Sequence, residues 1–356
     1  MVPNEGAWVS TEHDDARPVT IYTVAERAGV SIATVSRVLS GSTPASALTR
    51  QRVLRAVEDL EYVPLRAGRP VDVPTHETVR LVLPGLRGPY YSELLSGFES
   101  TAAREGQSVV VVVCDASKDA EASVRKILGR VDGIVIANDT ISDAMVRQIV
   151  RTTPTVLVAR DAIEGCDSVQ VENFISSAEL TRHLLDHGRR RLVFVGDTEA
   201  SHDISERYRG FQHALTRKRG AAVAAPIQVE YEERSGRRVM EALREIDAAG
   251  ADVDGLVCAN DELALATMVM LDREGRRVPD DIAVVGFDDI MTSRYLAPGL
   301  TTVQQPMREL GRWAAIRLHE RISGRTFDVH PQVLPTRMVV RGSCGCDWDQ
   351  TSVAGP

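Results

Sequence analysis

Three polar residues stand where apolar runs give way to helical patterns. Asp288 closes IAVVGFD, Asn260 closes GLVCAN, and Arg207 opens the helical stretch after RLVFVGD. Such runs read as strands of a parallel sheet, and ligands of such sheets sit at the carboxyl ends of the strands. A carboxylate, an amide and a guanidinium gathered there can hold vicinal hydroxyls by charge-assisted hydrogen bonds, the chemistry that a polyol needs. Ser201 and Asp203 lie in the loop before Arg207 and are expected at the mouth of that site. Arg160, which ends TVLVAR, is a further candidate. Tyr90 and Tyr91, at the end of the first apolar run, offer an aromatic wall, and aromatics are only 4% of the chain. Two alternatives stay open: core packing for Tyr91 and a helix N-cap for Asp288.

Other chemistries are missing from the text. No G-x-G-x-x-G follows a strand pattern, and there is no P-loop, H-E-x-x-H or G-x-S-x-G. None of the eight His stands beside a Cys or Ser in a catalytic setting, so no catalytic residue and no cofactor are expected. The five Cys form an odd, scattered set, which argues against a disulfide framework. Cys344-Gly-Cys346 reads as half of a metal site without a second pair or a His cluster, so no metal is expected and the thiols are taken as reduced.

The elements that must position these residues follow from periodicity. From residue 79, Val/Ile/Leu runs alternate with helical patterns (VRLVLPG, SVVVVVC, GIVIAN, TVLVAR), and the rhythm restarts with RLVFVGD, IQVEY, GLVCAND and IAVVGFDD. Continuous apolar strands are buried on both faces, so two parallel sheets covered by helices are expected, forming a two-lobed α/β body. Before it, TVAERAG reads as a helix ended by Gly29, and Ser31 as the N-cap of IATVSRVL. TRQRVLRAVEDLEYVP reads as a third helix with Val53, Leu54, Val57 and Leu60 on one face, stopped before Pro64. Residues 1–18 read as a disordered arm and 65–78, rich in Pro and Gly, as a linker.

The net charge of −8 is unevenly spread. Residues 1–16 hold four acids and no Lys or Arg, while 17–71 hold eight Arg against four acids. A small basic module on an acidic body is a footprint of nucleic-acid binding. No basic stretch followed by an apolar run opens the chain, and no apolar run reaches the roughly 18–20 residues of a membrane span. The protein is therefore expected in the cytoplasm.

VTIYTVAERAGVSIATVSRVLSG, with TRQRV and LEYVP beyond it, resembles the DNA-binding headpiece of the lactose-repressor/galactose-repressor family of bacterial transcription regulators. RVDGIVI, HGRRRLVFVGD, ERYRGF, CANDELALATM, VPDDIAVVGFDD and PGLTTVQQP resemble that family's effector-binding core. The resemblance spans residues 19 to about 343. It implies an all-α helix-turn-helix headpiece at 19–64, a hinge at 65–78 and a core at 79–343 like a periplasmic sugar-binding protein, with a tail at 344–356. Lobe 1 is expected at about 79–171 and 305–330, lobe 2 at about 172–304 and 331–343. It further implies a homodimer on pseudopalindromic operator DNA, repression as the usual outcome, and a small effector between the lobes, a sugar first and a purine or nucleoside next.

The resemblance assigns roles residue by residue. Ile32 and Ala33 match base-reading positions; both are apolar and suited to thymine methyls. Arg37 matches a base- or phosphate-contacting Arg, best used on guanine O6 and N7. Thr20, Tyr22, Thr34 and Ser36 match phosphate-positioning residues, with plain surface polarity as the other reading of Thr34 and Ser36. Ser31 opens the same recognition helix. Arg207 and Asp288 match the main effector contacts, and Tyr231 a stacking aromatic. The hinge departs from the family pattern: Gly68 and Pro70 oppose a helix by about 1 and 3 kcal/mol, and Val71 stands where a larger Leu is usual. An extracellular binding protein would need a secretory signal and no headpiece, and an enzyme would need a motif that the chain lacks.

Overall fold

The computed structural model describes residues 20–40, 46–60, 78–86, 88–114, 120–128, 131–217, 222–223, 225–230, 235–325 and 331–347. They fall into two compact units that divide at Thr75. The expected arm, the hinge residues Gly68, Pro70 and Val71, and Tyr231 lie outside the described residues.

The first unit holds three helices, α1 (Ile21–Ala28), α2 (Ile32–Ser40) and α3 (Ala47–Asp59). Local chemistry sets their ends. The Thr20 N–H donates to Thr23 Oγ1 at 2.9 Å, and the Thr23 hydroxyl donates to the Thr20 carbonyl at 2.7 Å. Gly29, at φ 64° and ψ 40°, closes α1 in the left-handed conformation that suits glycine. Ser31 Oγ accepts from the Thr34 N–H at 3.2 Å, which starts α2 after only a two-residue turn. Ser46 Oγ likewise accepts from the Thr49 N–H at 3.2 Å to start α3. Val24, Ala25, Ala28, Val35, Val53 and Ala56 form the buried core. Leu54, expected on the buried face of α3, is 48% exposed. The buried stripe runs Val53, Ala56, Val57, Leu60, and Leu54 sits about 100° round the helix from Val53.

The second unit carries two parallel sheets. The first has the order β11 (Pro331–Leu334), β5 (Asp167–Val171), β4 (Thr155–Val158), β3 (Gly133–Ala137), β1 (Thr78–Leu83), β2 (Ser108–Val113). Its strands divide their side chains by the two-residue period. Leu81, Leu83, Val135 and Ala137 pack under α4 (Gly88–Arg104) and α11 (Met307–Ile322). Val82, Ile134 and Ile136 pack under α5 (Ala120–Ile127) and α6 (Asp143–Val150). Gly97 and Gly311 let α4 and α11 touch backbone to backbone; a Cβ at either would strike the Arg308 or Leu94 carbonyl. Strand β2 is an exception to the expected two-sided burial: it is an edge strand with Val110 and Val113 exposed.

The second sheet has the order β7 (Ala222–Val223), β6 (Arg191–Val195), β8 (Gly255–Cys258), β9 (Ala283–Val285). One face packs on α7 (Phe174–Asp186) and α8 (His202–Thr216), the other on α9 (Gly236–Ala248) and α10 (Asp261–Arg273). A separate antiparallel pair, β10 (Thr302–Gln304) with β12 (Arg337–Val339), joins this lobe. The expected strand IQVEY reduces to one bridge, Val195 to Ile227.

Two expectations about lobe boundaries need correction. Residues 331–334 belong to lobe 1, where β11 lies parallel to β5. The apolar text on both sides of Pro335 reads as one run, but the chain changes lobes at Pro335-Thr336. It also crosses at Glu172-Asn173 and at Gln305-Pro306. The supposed tail begins inside lobe 2, since Cys344 is fully buried among Phe194, Phe287 and Val303.

Candidate functional site

Arg207 is the hub between the lobes. Ser201 Oγ caps α8 by accepting from the Ile204 N–H at 3.4 Å, which puts Asp203 in the first helical turn, not in a loop, and Arg207 in the second. Arg207 Nε donates to Asn173 Oδ1 at 2.8 Å and Nη1 to the Ala259 carbonyl at 2.6 Å. Nη1 lies 3.7 Å from Asp288 Oδ1, and the guanidinium stacks 3.9 Å from the Phe287 ring centre. Arg207, Asp203 and Asp288 are all buried.

Asp288 does not cap a helix. The nearest helical turn, Met291–Arg294, follows Ile290. The Asp288 N–H donates to the Val303 carbonyl at 2.8 Å, and Oδ1 accepts from Gln305 Nε2 at 2.5 Å. Its φ of 128° and the 56° of Asp289 are rare for residues with a side chain and cost about 1–3 kcal/mol each. A buried frame holds them. Asp289 accepts from Arg341 at 2.5 Å and from Gln304 at 2.8 Å. Asp261 accepts from the Ile290 N–H at 3.0 Å, Ser293 at 2.6 Å and Thr302 at 2.5 Å. Asn260 takes the capping role instead, accepting from the Leu263 N–H at 3.1 Å at the start of α10.

Lobe 1 brings Tyr90 and Tyr91, which stand in the first turn of α4 and not at a strand end. Their rings meet edge to face at 5.1 Å. Asn138 Nδ2 donates to the Tyr91 hydroxyl at 3.5 Å. The Tyr90 hydroxyl, Asn138 Oδ1, Asp203 Oδ1 and Gln305 Oε1 are buried without a hydrogen-bond partner among the described residues. The lobes approach closely here: a Cβ on Gly88 would lie 2.5 Å from Glu262 Oε1.

Burial sets the electrostatics. It pushes the Asp288 carboxyl up to about 8, with Arg207 pulling it down and Asp261 adding to the rise. Burial also raises Asp203, against Arg207 and His202. The Tyr90 hydroxyl is held well above its usual range by burial first, then by Asp203, Tyr91 and Asp288. The Arg207 guanidinium lies beside Asp288 in a site shielded from water, and the unpartnered oxygens of Asp203, Asn138 and Gln305 call for groups that donate hydrogen bonds.

The other expected site residues fare differently. Arg160 is buried under the loop that carries Asn138, pairing with Asp143 at 2.5 Å and Asp139 at 3.6 Å and donating to the Ile141 carbonyl at 3.0 Å. It clasps that loop and does not join the Arg207 cluster. Asn173, Phe287, Gln305 and Asn138 were missed. Asn173, Phe287 and Gln305 sit next to a lobe crossing or to Asp288, which is the signal that would have found them; nothing local distinguishes Asn138.

Most of the headpiece candidates are exposed. Ser31, Ile32, Ala33, Ser36 and Arg37 are exposed along α2, with Ile32 at 39%, and Tyr22 on α1 is 68% exposed. Arg37 Nε donates to the Ala33 carbonyl at 3.1 Å, which folds its side chain along the helix. Thr34 Oγ1 lies 2.9 Å from Ser31 Oγ, so its hydroxyl serves the cap, and Thr20 serves the start of α1. Arg50, Arg52 and Arg55 are exposed on α3.

The expectation that no His cluster accompanies Cys344-Gly-Cys346 does not hold. His183, His187 and Cys346 place their ligand atoms within 4.8 Å of one another, and Cys344 Sγ lies 3.3 Å from His183 Nε2. The His cluster sought beside Cys-Gly-Cys was present in the text as His183-x-x-x-His187, far away in sequence.

Comparison with known proteins places the chain. Residues 20–64 match the bacterial regulatory proteins of the lacI family, and residues 181–344 a periplasmic binding protein-like domain. The chain is 30% identical, with a TM-score of 0.67, to the transcriptional regulator CelR in its cellobiose complex, covering 92% of this chain and 100% of that one. It belongs to the LacI family. Other members are as similar along their length. The Lac repressor dimer bound to operator and the anti-inducer ONPF is 28% identical, with a TM-score of 0.73, covering 92% of this chain and 99% of that one. The ribose operon repressor of Halalkalibacterium halodurans is 29% identical over 90% of this chain and 96% of its own length. The PurR repressor of Aliivibrio salmonicida is 28% identical over 90% and 98%. As a LacI-family member the chain is a DNA-binding transcription regulator with a helix-turn-helix headpiece and a two-lobed α/β core. No helix among the described residues is long and apolar enough to cross a membrane.

Proposed function

We propose that the chain is a transcriptional repressor that binds operator DNA as a homodimer and is controlled by a sugar held between the lobes of its core. The observation that carries the effector reading is the buried cluster around Arg207, where Asp203 Oδ1, Asn138 Oδ1 and Gln305 Oε1 await donors. A polyol supplies several hydroxyl donors at once, which suits three acceptors better than a nucleobase does. Asp288, Arg207 and Tyr90 are the effector contacts of this reading, with Asp203, Asn173, Gln305 and Asn138 beside them and Phe287 backing the guanidinium. Asn260, Tyr91 and Arg160 act by shaping the cleft.

The two lobes contribute different atoms, so an effector that bridges them favours one lobe arrangement, and only such a preference can change DNA affinity. On DNA, Ile32 and Ala33 meet thymine methyls and Arg37 a guanine edge, while Tyr22 and Ser36 hold phosphates. Exposed Val110 and Val113 on the edge strand β2 are the kind of surface that a second copy covers. The protein works in the cytoplasm, where its DNA is, and performs no catalysis.

Calorimetric titration of a panel of mono- and disaccharides and nucleosides tests the reading, with operator gel shifts beside it. A sugar is expected to bind the wild type and to change operator affinity, and Asp288→Asn to lose about 2–3 kcal/mol of that binding. A nucleoside as the sole ligand would overturn the sugar assignment, and equal sugar binding by both proteins would remove Asp288 from the effector contacts.

A further inference from the structure

We propose that His183, His187 and Cys346, which already cluster, are joined by the neighbouring Cys344 in a binding site for a zinc-class transition-metal ion that ties the C-terminal segment to α7. Tetrahedral zinc holds imidazole nitrogen at about 2.0–2.1 Å and thiolate sulfur at about 2.3 Å, so its ligand atoms stand about 3.3–3.8 Å apart. The three separations here run from 3.0 to 3.6 Å before any metal is considered, two inside that range and one just short of it. Cys346 Sγ lies 3.6 Å from His183 Nε2 and 3.0 Å from His187 Nε2, and Cys344 Sγ lies 3.3 Å from His183 Nε2.

The surroundings orient each ligand. His183 and His187 are one helical turn apart, which puts both rings on one side of the end of α7 with their centres 4.3 Å apart. His187 Nδ1 sits 2.9 Å from the His183 carbonyl. A carbonyl only accepts, so Nδ1 carries the proton and Nε2 turns its lone pair toward Cys346, the arrangement found in metal-bound imidazoles. Gly345, at φ 102°, lets the backbone turn between the two cysteines as a side-chain-bearing residue rarely can. Cys344 is fully buried and its sulfur accepts from the Thr301 hydroxyl at 3.1 Å, which fixes it in place. His187 is exposed and Cys346 half-buried, so an ion can enter from solvent.

Two imidazoles with two thiolates select zinc-class or copper(I) ions over magnesium or calcium, which prefer oxygen. Binding releases the two thiol protons to solvent and changes no oxidation state. The ligands are separated by 161 residues of chain between His183 and Cys344, so the ion would staple the last segment of lobe 2 to α7. The site lies at the C-terminal end of α7, whereas Asn173, at the other end, serves the Arg207 cluster.

The test uses the untagged full-length chain, freshly reduced. Cobalt(II) titration should give about one tetrahedral ion per chain, with thiolate charge-transfer bands, and zinc should displace it. Cys346→Ser and His187→Asn, both at accessible positions, should weaken cobalt binding at least tenfold while circular dichroism stays native. Zinc should raise the melting temperature of the wild type, a chelator should lower it, and neither should move the variants. A reduced wild type that takes up no tetrahedral cobalt, or variants that bind as well as the wild type, would overturn the proposal. So would a Cys344–Cys346 disulfide in protein taken from cells with acid quenching.

Discussion

The headpiece and the cleft use polar chemistry in opposite settings. On the headpiece, a six-residue apolar core holds three helices so that Tyr22, Ile32 and Arg37 stand outward into water. In the cleft, Arg207, Asp203 and Asp288 are each 5% exposed or less. An outward group spends its energy on a partner and is screened by salt. A buried charge acts first on the protein that holds it, because its loss strands a neighbour out of water. Substitutions in the two regions should therefore separate binding from stability.

The largest expected effect is in the cleft. Arg207→Ala leaves the buried Asn173 Oδ1 and Ala259 carbonyl without their donor, removes the cation beside Asp288 and strips the Phe287 ring of its cover. Urea unfolding should show a loss of about 3–5 kcal/mol, and effector response should vanish. A variant as stable as the wild type would break the contrast. Next comes the headpiece. Arg37→Ala should cost about 1–3 kcal/mol of discrimination per half-site in anisotropy titrations of operator against scrambled DNA. Its unfolding curve should match the wild type, and a matching loss of stability would show that Arg37 is a structural residue.

The smallest effect concerns pH. Asp288 goes from its ordinary 3.8 up to about 8 in the folded core, so between these values the folded protein holds a proton that the unfolded chain has released. Stability is therefore greatest below the ordinary value and falls as pH rises toward 8. Burial raises Asp203 and Asp261 in the same direction. The melting temperature should drop by a few degrees between pH 5 and 8, and Asp288→Asn should flatten the slope, as scanning calorimetry can check. A melting temperature that rises over this range would mean that Arg207 dominates over burial.

How far each region was legible follows from the same contrast. The helix caps at Ser31 and Gly29, the two-faced strands, the place of Arg207 on the helix after RLVFVGD and that of Asp288 past a strand end are readable, because capping and periodicity act within a few residues. The exposure of Leu54 departs from the expected face because that face depends on a 100° step that a run of apolar letters hides. The lobe of residues 331–334 is not legible in the sequence, because apolar residues stand on either side of Pro335 and only strand pairing tells the two segments apart. Asp203 reads as a loop residue until Ser201, two residues earlier, is seen to cap α8.

The amino-acid sequence by itself determined which elements form and which polar residues face the ends of strands, since those follow from local backbone preferences and the alternation of apolar side chains. Tertiary structure alone decided which distant groups share a site. It set Arg207 against Asn173, Phe287 and Asp288, sealed the Tyr90 hydroxyl away from water, and brought Cys344 and Cys346 against His183 and His187. These meetings depend on three crossings between lobes and on the packing of whole sheets. Their energies come from desolvation and distance, which no short stretch of sequence contains.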